Sequence, residues 1–567
     1  MPPCVRRRTI RILVLTNFYP PHHIGGYELR CQGVVDGLRQ LGHDVYVLTG
    51  RFRRGNADED YSGHIQRQVH LTWGPPYPPE DLPGMLIRES QGRQALDDTL
   101  AMARPDIVDV WGMSFASQPL VAALARSGVP LHFSLEDEWL LNAFEHDPLC
   151  IVTQAALDMG VEMTPAIRRL CCLGLSRPPL LDAALTFAST ALRDGYQHAG
   201  LRHENSSVRI AGIDTRPFQS LRSAKPMPPI VILSVGQITA SRGQADLIEA
   251  VRRVAADPPE QGNPPIVLRI VGEGDPEYTA ELTRQSERLA SEKYRVEFIG
   301  AVPHERIADV YFDAHLLVHT SRLPEGLPRV LMEAMAAGVP IIATNTGGQR
   351  DILENGRWGT LVDPGDSETL ANAIRTALAE LPGRRALAAK ARKHALEHFD
   401  ISSYVDGHAG DLSKAAAADS TRSRAFSAEP PTTGEIEAFS NSLGAGAEDR
   451  AATLDVAADP ELAWRMGVVL KRTGRLAAAD RVFSNLHDSH FENSTHVRRS
   501  TLHCAELAML RGDWSRAADR LATCLKVAPD HARCLFDRRV VEARKLPEHL
   551  TGLSRLPTSR TMNRDSL

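Results

Sequence analysis

Short apolar runs, each followed by a loop and an amphipathic stretch, pattern most of the chain. RILVLT (11–16) passes through the Pro/Gly-rich NFYPPHHIGG into the helical YELRCQGVVDGLRQLG, and DVYVLTG (44–50) follows. Strand, glycine loop, helix and strand make a βαβ unit, which implies a parallel sheet. The pattern recurs at DIVDVWG (106–112), PLHFSLED (130–137), AALTFAS (183–189) and SSVRIAG (206–212), and breaks at the proline-rich SAKPMPPI (223–230). A second series then runs IVILSVG, GQADLIEAVRRVAA, IVLRIVGEG, VEFIGAV, AHLLVHTS, PIIATNT and WGTLVDP. The prediction is two doubly wound, Rossmann-like α/β domains, residues 9–222 and 228–395. A helix over 396–412 crosses back to the first, and a ligand cleft lies where the carboxyl ends of the two sheets face each other.

Beyond Leu412 the periodicity stops. Residues 413–455, rich in Ala, Ser, Gly and Pro, read as a flexible linker. Two helix pairs follow over 456–546, before a tail at 547–567. Gly474, Ala479 and Phe483 of the first pair correspond to Gly512, Ala517 and Leu521 of the second, which ends in Pro529. That spacing resembles the tetratricopeptide repeat and predicts an all-α helical-repeat module with a closing helix at 533–545. Two repeats are few for a free-standing solenoid, so the module is expected to pack on something, with a protein partner as its natural ligand.

Composition narrows the function. A formal net charge of −5 shows no basic surplus of the kind that marks nucleic-acid binding. The eight cysteines form no CxxC pair, and in a chain this long they read as reduced thiols of a cytosolic protein. The apolar run after the basic start is too short for a signal peptide, and none approaches a membrane span. The arginine-bearing RFRR (51–54) and AIRRLCCLGLSRPPLL (166–181) are where peripheral contact with a membrane's inner face would occur; a buried helix with a basic edge is the simpler reading. No His/Cys/Asp cluster has metal-ligand spacing along the chain. The loop histidines His22 and His23 and the acidic DED (58–60) read as solvated.

The stretch DAHLLVHTSRLPEGLPRVLMEAMAAGVPIIATNTGG (313–348) carries the chemistry. Within it EGLPRVLME sets Glu325 and Glu333 eight positions apart around a helix start. Together with NFYPPHHIGGYE, GHDVYVLT, SVGQITASRGQADLIEA, VGEG and GGQRDIL, in that order, it resembles the retaining glycosyltransferases of the GT-B fold, family 4, over roughly residues 9–412. Elementary chemistry supports the resemblance. Pro328 suits a first helical turn, Gly326 lets the backbone approach a ligand, and amides at a helix start attract a diphosphate. Eight helical residues span about 12 Å, the reach from a transferred sugar across two phosphates to a ribose.

The resemblance implies that Glu325 contacts the donor sugar and Glu333 the ribose. It places Gly25, Gly26, Gly236, Gly272, Val302 and the Gly326–Leu327–Pro328 segment around the nucleotide, with the base near Ile299–Pro303. The family's Arg and Lys against the diphosphate correspond to Gln237 and Arg242, so one cation is missing, and Arg322 is a candidate replacement. The family's His-Asp-x-Trp corresponds to Glu136, Asp137 and Trp139, with a carboxylate in place of the imidazole. Ala211-Gly212 stands for a common Asn-Gly, and Asp351 for a common Glu. The implied activity is metal-independent, retaining transfer of a sugar from a nucleoside-diphosphate donor, a co-substrate rather than a cofactor, to a hydroxyl acceptor. Bacterial glycan or glycoconjugate biosynthesis is the implied setting. The alternative is a catalytically impaired nucleotide-sugar-binding scaffold acting through its helical repeats.

Overall fold

A computed structural model describes residues 9–527, except 24–25, 53–62, 72–80, 142–146, 172–182, 202–204, 221–227, 257–263, 275, 292, 304–305, 419–429, 455, 457–458, 489–494 and 511–512. The first domain carries β1 (Arg11–Thr16), β2 (Asp44–Gly50), β3 (Ile65–Val69), β4 (Ile107–Val110), β5 (Leu131–Leu135), β6 (Ala184–Phe187) and β7 (Ser206–Val208). They form one sheet in the order β3-β2-β1-β4-β5-β6-β7. The second domain carries β8 (Ile230–Val235), β9 (Ile266–Val271), β10 (Tyr294–Gly300), β11 (Leu316–His319), β12 (Ile341–Thr344) and β13 (Thr360–Val362), ordered β10-β9-β8-β11-β12-β13. Every pairing is parallel; β1, for example, sets Ile12 beside Val45 on one side and Ile107 on the other. Helices on both faces explain why the central strands are apolar along nearly their whole length. Strand order reverses between β1 and β4 and between β8 and β11, the points at which such sheets open a crevice.

The domains are joined twice. Ile213 exchanges backbone hydrogen bonds with the 399–401 turn, its N–H to Phe399 O at 2.8 Å and its carbonyl from Ile401 N at 2.9 Å. The crossing helix is Ile401–Ala418, beginning later and ending later than the 396–412 expectation, while Leu381–His398 stays with the second domain. Ile401 and Val405 pack against the helix Gly26–Gln40 where it bears Gly33 and Gly37. Beneath this contact lies a buried polar tie. Asp109 on β4 accepts from Trp111 Nε1 (2.8 Å) and Ser134 Oγ (2.9 Å), and lies 2.8 Å from both His132 Nδ1 and His408 Nε2. Burial alone would raise its pKa, but His408 and His132 hold the carboxyl well below the usual range. Linear spacing did not show this Asp/His cluster, because the crossing helix brings His408 to Asp109 from 299 positions away.

The predicted linker is corrected. Residues Thr433–Ala451 form a helix whose Thr432–Glu435 capping box satisfies its first amides. Ile436, Phe439, Leu443 and Ala447 are buried on one face. One bulky apolar residue per turn, diluted by Gly, Ala and Ser, masked that stripe in the sequence. The helix pairs Pro460–Arg472/Leu476–Asp488 and Thr495–Leu510/Trp514–Val527 follow. Ala479, Phe483, Ala517 and Leu521 are fully buried between them. Gly512, Pro529, the expected helix at 533–545 and the tail lie outside the described residues. These helices share one apolar core with the first domain, in which Phe439, Leu443, Trp464 and Val468 join Leu82, Leu86, Leu149, Val152 and Ile167. The apolar side of Pro165–Leu170 is therefore occupied by the protein's own interior, with Arg168 and Arg169 left exposed. No described helix is long and apolar enough to cross a membrane.

If residues 433–451 brace this core, Phe439→Ala should destabilise the protein by about 3–5 kcal/mol, read from urea denaturation. A change below about 0.5 kcal/mol would return the segment to the status of a tether.

Candidate active site

A cleft of about 480 Å³ opens between the domains, at the carboxyl ends of β5, β8 and β11. From the second domain, the loop after β8 supplies Gly236, Gln237 and Arg242. Gly243 turns the chain in the left-handed region, at φ 69°, where a β-carbon would run into the Thr320 carbonyl. Thr320 Oγ1 donates back to Arg242 O at 2.9 Å, so the loops after β8 and β11 hold each other. Gly272 backs the Gly236 loop from behind rather than lining the cleft.

Glu325 lies at the centre. His319, at the end of β11, places Nε2 2.8 Å from its Oε1, and Arg242 ion-pairs with the other oxygen. Burial works to raise the Glu325 pKa, but the His319 hydrogen bond and charge, joined by Arg242, bring it down to about 2. Its main chain is fixed too, with Gly348 N donating to Glu325 O at 2.8 Å. The next residue, Gly326, abuts Glu136 of the first domain, whose carbonyl oxygen leaves no room for a β-carbon. Its missing side chain thus serves contact between the domains, and the residue also lines the cleft. Leu327 and Pro328 follow at the rim, Pro328 capping the helix Arg329–Ala337 with extended backbone.

From the first domain come Gly26, Tyr27, Arg30, Glu136 and Asp137. Arg30 Nη1 lies 2.8 Å from Glu136 Oε1, both side chains buried. Burial pushes Glu136 up to about 7 against the pull of Arg30, and neighbouring Asp137 adds to the rise. Asp137 accepts from Trp139 N at 3.0 Å, so it also shapes the turn after β5. A second interdomain clasp lies beside the cleft, where Asp351 accepts from Thr190 N at 3.0 Å and Ala191 N at 3.4 Å.

Several expected residues lie elsewhere. Glu333 is not at the cleft wall; it is buried, accepting from Tyr311 Oη at 2.7 Å and Arg329 Nη2 at 3.3 Å. Val302 packs against the interior. Arg322 faces away, its guanidinium bound bidentately to Asp246 at 2.6 and 2.8 Å, so it does not replace the missing cation. His22 is buried and His23 half-buried, neither lining the cleft. Gly25, residues 53–54 of the RFRR segment and the acidic 58–60 fall outside the described residues. Arg30, His319 and Arg329 are among the cleft residues that the sequence did not single out. Arg30 stands four positions after Gly26, on the buried side of its helix, and Arg329 lies inside the very motif that drew attention to Glu325 and Glu333.

Residues 215–394 match the family model described as glycosyl transferases group 1, and residues 25–161 the glycosyl transferase 4-like domain. A D-inositol 3-phosphate glycosyltransferase of Catenulispora acidiphila is 29% identical over 320 residues, covering 53% of this chain and 70% of that protein. A glycogen synthase of Mycobacterium tuberculosis is 28% identical over 408 residues, covering 69% and 91%. A sucrose-phosphate synthase of Thermosynechococcus elongatus superimposes with a TM-score of 0.53 at 20% identity, over 72% of this chain and 99% of that one, and so shares the two-domain fold.

Glu325's folded pKa, about 2, lies below its ordinary 4.5, so its pairing stabilises the fold above the unfolded value and is lost as pH falls towards 2. Glu325→Gln should be on the order of 2–3 kcal/mol less stable at neutral pH, the gap closing between about pH 5 and pH 2 in denaturation curves. A gap independent of pH would contradict the pairing.

Proposed function

We propose, from a chain whose residues 215–394 match the glycosyl transferases group 1 and whose residues 25–161 match the glycosyl transferase 4-like domain, that this protein is a retaining glycosyltransferase. It takes a sugar from a nucleoside-diphosphate donor and passes it to a hydroxyl of an acceptor in glycan or glycoconjugate synthesis. The observation that carries the reading is the convergence of Arg242, Glu325 and a helix N-terminus on one wall of an interdomain cleft. In the reaction the bond from the anomeric carbon to the diphosphate breaks and one to the acceptor oxygen forms, while the acceptor hydroxyl loses its proton. Negative charge grows on the leaving phosphate, and a preorganised cation with helix amides is what lowers that barrier.

Arg242 is held in place by Glu325, which His319 fixes in turn, so the cation waits at its station before a ligand arrives. On binding, Arg242 exchanges this partner for phosphate oxygens, and the freed carboxylate accepts hydrogen bonds from sugar hydroxyls. Glu136 faces the same space from the acceptor domain. With a pKa of about 7 and Arg30 against it, it is suited to hold or receive a proton near neutrality. Glu333 serves the ribose only if Tyr311 and Arg329 release it. The helical module, docked on the acceptor domain through the shared core, is the proposed seat of a protein partner.

Assayed with UDP-, GDP-, ADP- and TDP-linked hexoses and simple glycosides as acceptors, one donor should be consumed, and the product should keep the donor's anomeric configuration by NMR. Arg242→Met should lower kcat/KM by about 10²–10³-fold, and EDTA should leave the rate unchanged. An inverted product would overturn the retaining assignment. Saturable donor binding without turnover, whatever the acceptor, would favour the scaffold reading.

A further inference from the structure

Gln237 stands where the resembling family places a cation, and Arg322, the sequence's own candidate to replace it, is bound to Asp246 on the outside. The cleft nevertheless has another arginine. Arg329 is the first residue of the helix Arg329–Ala337, and its side chain lines the cleft with Gln237 and Arg242 while reaching the first domain at Gly26. A β-carbon on Gly26 would sit 2.8 Å from Arg329 Nη1, so the glycine keeps open the place the guanidinium occupies.

The contacts of Arg329 are loose for so enclosed a cation. Nη1 reaches Gly26 O at 3.4 Å and Nη2 reaches Glu333 Oε1 at 3.3 Å, both at the long end for an N–H···O bond. Its buried Nε has no hydrogen-bond partner among the described residues. Arg322, by contrast, closes on its carboxylate at 2.6 and 2.8 Å. A guanidinium offers five donors in a planar fork that matches phosphate oxygens, and here most of them remain available. Glu333 divides its oxygens between two contacts, the other one accepting from Tyr311 Oη at 2.7 Å.

We infer that Arg329 supplies the second positive charge for the donor's diphosphate, delivered from the helix N-terminus in place of the side chain at position 237. This rests on the proposed donor-binding reading of the cleft. Two arginines would then hold the diphosphate, Arg242 from the loop after β8 and Arg329 from the helix. Because Arg329 also reaches Gly26 of the first domain, diphosphate binding would draw on both domains at once.

The test measures the calorimetric affinity of the full chain for UDP, GDP, ADP and TDP and for the four corresponding monophosphates. Arg329→Met should weaken the preferred diphosphate on the order of 10–100-fold, while its monophosphate changes by less than about 3-fold. Adding Gln237→Lys to that variant should recover most of the loss, which a purely structural role would not predict. If Arg329→Met does not fold, Arg329→Lys, which keeps the charge but not the fork, should show an intermediate loss confined to the diphosphate. Equal weakening of both nucleotides, or of neither, with the unaltered chain still binding, overturns the role of Arg329 alone. Failure of the unaltered chain to bind any nucleotide overturns the donor-site reading and this inference together.

Discussion

A β-carbon at position 326 would run into the carbonyl oxygen of Glu136, and that steric constraint fixes how the two α/β domains meet. Gly326 follows Glu325 directly and stands three residues before the helix Arg329–Ala337, so seating it sets the carboxylate, the helix start and the turn after β5 in one step. Asp351 repeats the arrangement nearby, offering its carboxylate to the first amides of Thr190–His198 across the domain boundary. Close behind Tyr27 of the cleft, the Asp109–His408 contact holds the crossing helix to the first sheet. The cleft is therefore a space between braced walls.

Charge within the cleft is arranged in pairs that a ligand can exchange. Arg242 with Glu325 and Arg30 with Glu136 line it, and Arg329 reaches from it to the buried Glu333. The pairs differ in tightness and burial. Glu325 is held strongly ionised, Glu136 is pushed towards neutrality by burial, and the Arg329–Glu333 contact is long. On the proposed reading such a site suits an anion that brings hydroxyls with it, since releasing Arg242 to a phosphate frees Glu325 to receive a hydroxyl. The departures at 237 and 136 fit this picture as redistribution of charge: position 237 is uncharged, Arg329 lies near, and the carboxylate at 136 comes with Arg30.

The sequence showed the central strands because they are buried on both faces and hence continuously apolar, as in RILVLT and PIIATNT. It missed β3 for the opposite reason. Ile65–Val69 is an edge strand, and its polar IQRQV has no apolar run to find. The helix at 433–451 was lost because its single apolar stripe is embedded in small residues, and its stability comes from tertiary packing on residues more than 250 positions away. At the site, local motifs identified Glu325, Arg242 and Glu136, which sit on loops at strand ends. What spacing could not reveal was direction: Arg322 and Arg329 are seven residues apart, and only the fold sends one outwards and the other into the cleft. The same limit hid the pairing of Glu333 with Tyr311, which comes from a separate helix.

The central claim is that this cleft binds a nucleoside-diphosphate sugar. The measurement that tests it most directly is calorimetric titration of the unaltered chain with UDP-, GDP-, ADP- and TDP-glucose, with Glu333→Ala and Glu325→Ala alongside. Saturable binding of one donor at one site per chain, weakened in Glu325→Ala, is the predicted result; a parallel loss in Glu333→Ala would show that this buried acid turns to the ribose. No saturable binding to any donor by the folded chain would contradict the claim.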